Sequence, residues 1–335
     1  SSVKRSMIPR SADWKNALAQ AVRDPAELLA LLELPRGLLG EARRAAESFP
    51  LRVPRSYVAR MEKRDPADPL LRQVLPIADE QQPAPGFLTD PVGDLDASTV
   101  PGLLHKYAGR ALLVTTGACA VHCRYCFRRH FPYADENPSR GHWGAALEYL
   151  EAHDEIEEVI LSGGDPLVLD DERLSALTRE LEAIPHLRRL RIHTRLPIVL
   201  PERVNPALLQ WLGSTRLQPI MVVHANHANE FDAAVREALS ALKQAGITLL
   251  NQTVLLRGVN DSAEVLTELS DVLFDSGVLP YYLHLLDRVK GAAHFDVSDR
   301  KALELMEQLR ARLPGYLVPR LVREIPGEPS KRPVL

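Results

Sequence analysis

Cysteine is scarce in this chain: three residues in 335, all between Cys119 and Cys126. An odd and tightly clustered set cannot form a disulfide framework, so a metal or a reactive thiol is its natural use. Long apolar runs are missing too. No stretch approaches the ~20 residues of a membrane-spanning helix, and Ser1 to Lys15 has no apolar core of the kind a secretory leader carries. Charge of one sign is also lacking: the formal net charge is -3, with no long lysine or arginine run. Such a chain carries no electrostatic footprint for nucleic acid or for an anionic membrane surface. We therefore expect a cytoplasmic protein whose partner is a small molecule. Repeats and low-complexity segments are absent as well.

What is present is an ordinary globular balance, 45% hydrophobic and 25% charged residues, enough to bury a sizeable core. The first hundred residues read as amphipathic helices, Trp14 to Leu34 and Leu38 to Ser48, broken by Val53-Pro54 and the Gln81 to Pro85 stretch. From Ala111 the pattern changes. Short β-rich runs (111–115, 158–161, 190–193, 219–223, 247–253, 281–286) alternate with helical stretches (143–152, 172–183, 206–212, 230–245, 263–276, 300–313), the alternation of βα units around a parallel sheet. Six units are too few for a closed eight-stranded barrel. The expected fold is an open, partial (β/α)6 TIM-like barrel over 101–313, with an N-terminal helical extension, 1–100, and a C-terminal segment, 314–335.

In such folds functional groups collect at the C-terminal ends of the strands. Here those ends carry the cysteine run, Ser162-Gly163-Gly164-Asp165, His193 with Arg195, His224, Gln252 and Asp287. Cys119, Cys123 and Cys126 form a C-x-x-x-C-x-x-C pattern just after the first βα strand. Three thiolates on one tight loop can hold three irons of a [4Fe–4S] cluster and leave the fourth iron open. A zinc site completed by His122 or His130 is the rival on ligand spacing alone, although zinc knuckles usually come in pairs and no second one exists. With Tyr125 just before the last cysteine, the run resembles the radical S-adenosylmethionine (SAM) superfamily, in which SAM chelates the open iron. The Ser162-Gly163-Gly164-Asp165 turn, weak by itself, then resembles the loop that binds the amino group of SAM.

Longer matches narrow the resemblance. Leu104-His105-Lys106-Tyr107 with Arg110, Cys126-Phe127-Arg128-Arg129, the run from Leu250 to Asp261, Pro280-Tyr281-Tyr282 and Gly327-Glu328-Pro329-Ser330-Lys331 are similar to the lysine 2,3-aminomutase family. Pro101 to Tyr107, Arg128 to Tyr133 and the Gly-Glu-Pro-Ser-Lys ending resemble its elongation factor P (R)-β-lysylation protein B branch. The resemblance implies an isomerase that uses a [4Fe–4S] cluster, SAM and pyridoxal 5'-phosphate. A 5'-deoxyadenosyl radical would take hydrogen from the β-carbon of L-lysine while the nitrogen moves from the α- to the β-carbon.

It also implies roles. Lys331, by itself a solvated tail lysine, would be the catalytic residue that carries pyridoxal phosphate through a Schiff base. Lys106, Tyr107 and Arg110 would hold the cofactor's phosphate, with lysine where the family more often has arginine. Arg128 would pair with the substrate carboxylate. Asp287 and Glu324 would receive the ε-ammonium, Glu324 replacing the usual aspartate. Tyr125, His224 and Gln252 would lie near SAM and the cofactor. Implied partners are an external one-electron reductant and a ligase that passes β-lysine to elongation factor P. The chain ends four residues after Lys331, and a homo-oligomer stays open.

Overall fold

The computed structural model describes residues 11–135 and 143–335; the first ten residues of the Ser1 to Lys15 stretch lie outside them. Ten strands form one sheet whose spatial order is the chain order. They are β1 Ser98–Val100, β2 Leu103–Tyr107, β3 Arg110–Thr116, β4 Glu158–Gly163, β5 Arg189–Thr194, β6 Gln218–Val223, β7 Thr248–Val254, β8 Leu279–His284, β9 Arg320–Arg323 and β10 Arg332–Pro333. Strands β3 to β9 are parallel. Antiparallel β1-β2 precedes them and antiparallel β10 follows. No pairing joins β1 to β10, so the sheet stays an open TIM-like barrel.

The six expected βα strands are all present. A seventh parallel strand, β9, was not expected: its four residues Arg-Leu-Val-Arg are too short and too charged at the ends to show a strand period. Strand β2, which carries Lys106 and Tyr107, was not among the expected strands either.

The helices are α1 Ser11–Ala19, α2 Pro25–Leu31, α3 Leu39–Ser48, α4 Arg55–Val58, α5 Gly144–Ala152, α6 Asp171–Glu182, α7 Leu196–Val199, α8 Pro206–Ser214, α9 Ala233–Gln244, α10 Ala263–Asp275 and α11 Asp299–Arg312. The single helix expected from Trp14 to Leu34 is two. Val22 leaves helical geometry to bridge Val53, and Asp24 restarts the helix by capping Ala26 with Pro25 in its first turn. Helices α6, α8, α9, α10 and α11 each begin at a side-chain cap, from Asp170, Asn205, Asp232, Ser262 and Ser298. These caps stop each strand-to-helix loop at a defined residue.

Alternation along β5 shows how the barrel divides. Leu190 and Ile192 join the apolar core beneath the helices, whereas Arg189, Arg191 and His193 face a cavity inside the sheet. Core residues of the N-terminal extension, Val22, Leu28 and Tyr57 among them, belong to the same apolar cluster as Leu113, Leu161 and Ile192.

Candidate active site

One cavity of about 730 Å³ occupies the interior of the open barrel. The three cysteines line it, as do Lys331 and every other site residue singled out in the sequence. These residues come from β2, β3, β4, β5 and β7, the loops after β3, β4, β5, β6 and β8, and the segment between β9 and β10.

The cysteine end is built by two loops locked together. Gly164 donates its N–H to Thr116 O (2.7 Å) and Asp165 to Ala118 O (2.8 Å). A Cβ at Gly163 would lie 2.4 Å from Thr116 O, and one at Gly164 2.2 Å from Ala118 O. The absent side chains therefore make room for the cysteine loop itself. Gly163 also has φ +126°, a conformation natural to glycine. The Asp165 carboxylate is committed within the protein, accepting from Thr194 Oγ1 (2.7 Å), Arg195 N (2.7 Å) and Leu167 N (3.0 Å). Burial pushes its pKa up against these donors.

Burial and the other thiols push Cys119 well up, and burial with Cys123 pushes Cys126 up to about 11. The thiols so crowd one another that ionising them calls for a cationic centre. Positive hydrogen-bond donors surround them. Arg195 Nη1 donates to Cys123 Sγ (2.9 Å), and the Nε atoms of Arg52, Arg129 and Arg195 are buried with no partner among the described residues. Three thiols beside orphaned guanidinium N–H groups fit an anionic iron–sulfur cluster with an anionic ligand. For the zinc alternative, His122 Nδ1 contacts Pro50 O (2.8 Å) and His130 Nε2 contacts Lys290 O (3.0 Å), so each would have only its other ring nitrogen to offer. Among the described residues no three His, Cys, Asp or Glu side chains converge as ligands of a single ion would. Tyr125 lies between the loops, its hydroxyl accepting from Asn226 Nδ2 (2.7 Å).

At the other end Lys331 Nζ enters the cavity just before β10, 3.3 Å from Gln252 Oε1 and 5.1 Å from the Tyr282 ring centroid. Burial lowers its pKa although Glu324 and Asp287 pull the other way. A cavity-facing amine biased toward its neutral form fits the lysine of a pyridoxal phosphate site. Burial and neighbouring Glu324 push Asp287 up to about 7, and its carboxylate makes no ion pair or hydrogen bond among the described residues. His193 and His224 touch (Nδ1 to Nε2, 3.2 Å). Burial depresses both, as it does His284, which favours the neutral imidazole in each.

Several expected pairings look different in place. Lys106 Nζ is bound to Asp94 Oδ1 (2.6 Å), Glu324 Oε1 (3.0 Å) and Val92 O (2.8 Å), so it is not a free cation awaiting a phosphate. Tyr107 also donates to Glu324 Oε1 (3.2 Å). Arg110 does remain uncommitted, stacked 4.3 Å from the Tyr107 ring centroid and facing the cavity without an ion pair among the described residues. Arg128 is held by Asp94 Oδ2 (2.7 Å) and Ser162 Oγ (2.9 Å). Burial alone would raise Asp94, yet Arg128 and Lys106 hold it below the ordinary carboxylate range. Sequence reasoning missed Asp94, which sits in a short turn with no periodic signal. It also gave no role to Arg195, although the position after a strand end was visible.

An open parallel barrel with a three-cysteine loop after its first parallel strand defines a radical SAM protein, and residues 113–208 match the Radical SAM superfamily model. Within it, the chain belongs to the L-lysine 2,3-aminomutase family, whose reaction is an isomerisation. It is 56% identical over 327 residues to the L-lysine 2,3-aminomutase of Escherichia coli (strain K12), covering 97% of this chain and 95% of that one. The Haemophilus influenzae protein of the same name is 51% identical, with 97% and 96% covered. That of Clostridium subterminale is 35% identical, with 96% of this chain and 78% of that one covered.

Proposed function

We propose that this chain converts L-lysine to β-lysine with a [4Fe–4S] cluster, SAM and pyridoxal phosphate. The observation that carries the reading is a single cavity with three cysteines at one end and Lys331, Asp287 and Glu324 at the other. Cys119, Cys123 and Cys126 would hold the cluster, Lys331 the pyridoxal phosphate, and Arg110 its phosphate. When bound, the cluster and SAM supply a carbon radical that removes a substrate hydrogen, and pyridoxal phosphate supplies the conjugated system across which nitrogen migrates.

The protein's own work is positioning and shielding. Arg128 offers its guanidinium to the substrate carboxylate, in competition with Asp94. Asp287 is the open acceptor for the ε-ammonium, whereas Glu324 already shares its charge with Lys106. The neutral imidazoles of His193, His224 and His284 line the middle of the cavity without adding charge. Enclosure by the barrel keeps water from the radical. The motifs shared with the elongation factor P branch support delivery of β-lysine to a ligase acting on that factor, with an external one-electron reductant, in the cytoplasm.

The test is an anaerobic assay of reconstituted protein with SAM, pyridoxal phosphate and L-lysine, analysed for β-lysine. Asp287→Asn and Glu324→Gln should each lower kcat/KM for lysine about thirtyfold or more, the loss of one charge-assisted pair worth ~2–5 kcal/mol. Near-normal lysine turnover in both variants would sink the assignment of substrate.

A further inference from the structure

Arg195 follows β5 at the start of α7 and is 6% exposed. Its guanidinium spans two environments. On one side Nη2 donates to Glu230 Oε1 (2.6 Å), Gln73 Oε1 (2.6 Å) and Tyr57 OH (3.1 Å), all three side chains being fully buried. On the other side Nη1 reaches the Cys123 sulfur at 2.9 Å. Its backbone N–H is tied to Asp165. Glu230 is anchored in turn by the backbone N–H groups of Asn226 (2.5 Å) and His227 (2.8 Å).

A buried ion pair of this kind is weak evidence for stability, because apolar side chains of the same volume usually serve as well. What the network achieves instead is aim. Three anchors from three separate segments fix a planar fork so that one N–H meets a cysteine sulfur. Lysine, with a point charge on a flexible stem, cannot hold Glu230 and reach that sulfur together.

We propose that Arg195 is a positioning residue that sets the cluster's reduction potential through an N–H···S hydrogen bond to Cys123, an inference resting on the reading of the three cysteines as cluster ligands. One-electron reduction adds a negative charge shared between the iron and its sulfurs. A positive donor on a ligating sulfur stabilises the reduced state more than the oxidised one and raises the potential. Glu230, Gln73 and Tyr57 act through Arg195 by holding its fork.

The experiment compares reconstituted holoenzyme of the wild type, Arg195→Lys, and the double variant Arg195→Gln/Glu230→Gln, which removes both buried charges so that neither is left unpaired. Iron and sulfide are counted, and the cluster is titrated potentiometrically with detection by electron paramagnetic resonance. Both variants should load a cluster, with the ratio of reduced to oxidised cluster at a fixed potential lowered about tenfold, a midpoint about 59 mV more negative for a one-electron couple. An unchanged midpoint in loaded variants would overturn the proposal and leave Arg195 a structural clamp. Loss of iron from both variants would overturn it too, by making Arg195 a requirement for holding the cluster. A wild type that takes up no iron would instead remove the cysteine reading, and this proposal with it.

Discussion

At the cysteine end of the cavity the loops are tied to the protein through buried hydrogen bonds. At the Lys331 end charged groups are held by one another or left open. Asp165, Arg195 and Glu230 have buried partners, and two glycines seat one loop against the other. By contrast Asp94, Lys106, Glu324 and Arg128 form a chain of ion pairs in the space a zwitterionic ligand would use, and Asp287 stands open. The difference teaches that one end is preorganised and the other is poised. A rigid frame suits a group that stays, while exchangeable ion pairs keep charges neutralised until a ligand of matching charge replaces them.

If the two ends are independent, Lys331→Ala should give the largest effect: loss of the borohydride-trapped pyridoxal adduct and of lysine turnover, with iron content and melting temperature unchanged. Mass spectrometry and iron analysis decide it. A fall in iron would show that the ends are coupled.

Gly164→Ala strikes the rigid end. The new Cβ would meet Ala118 O at 2.2 Å, so the cysteine loop must shift at a cost of ~1–3 kcal/mol. Denaturant unfolding should report that loss, and reconstitution should yield less iron while the Lys331 adduct still forms.

The smallest effect sharpens the poised end. Asp287 has its pKa raised from 3.8 to about 7, so between those values the ligand-free folded state keeps a proton that the unfolded chain releases. Its contribution to stability is complete below 3.8 and is lost as pH rises through 7. Asp287→Asn removes that loss. The variant should melt above the wild type at pH 8 by a few degrees, and the gap should close near pH 4. For the wild type, KM for lysine should rise up to about tenfold per pH unit below 7 as the carboxylate takes up its proton.

Much of the architecture could be read from local patterns. Strands β3 to β8 carry clear periods, four of the helices between them start at a side-chain cap, and Lys331 was recognisable once the longer motifs around it pointed to a family. Strands β9 and β10 were not readable, because four and two residues are too few to show a period. Asp94 and Arg195 were not readable either, for a different reason. Their partners lie far away in sequence, Lys106 and Arg128 for the first, Cys123, Gln73 and Glu230 for the second.

By itself, then, the sequence determined the alternation of strands and helices and the three-cysteine loop, since these depend on neighbours within a few positions. Only the tertiary structure decided which charges meet. It gave Lys106 to the acids and not to an open phosphate site, left Asp287 and Arg110 uncommitted, and set Arg195 against a sulfur. Pairings of this kind depend on distances across the sheet, which no local pattern encodes.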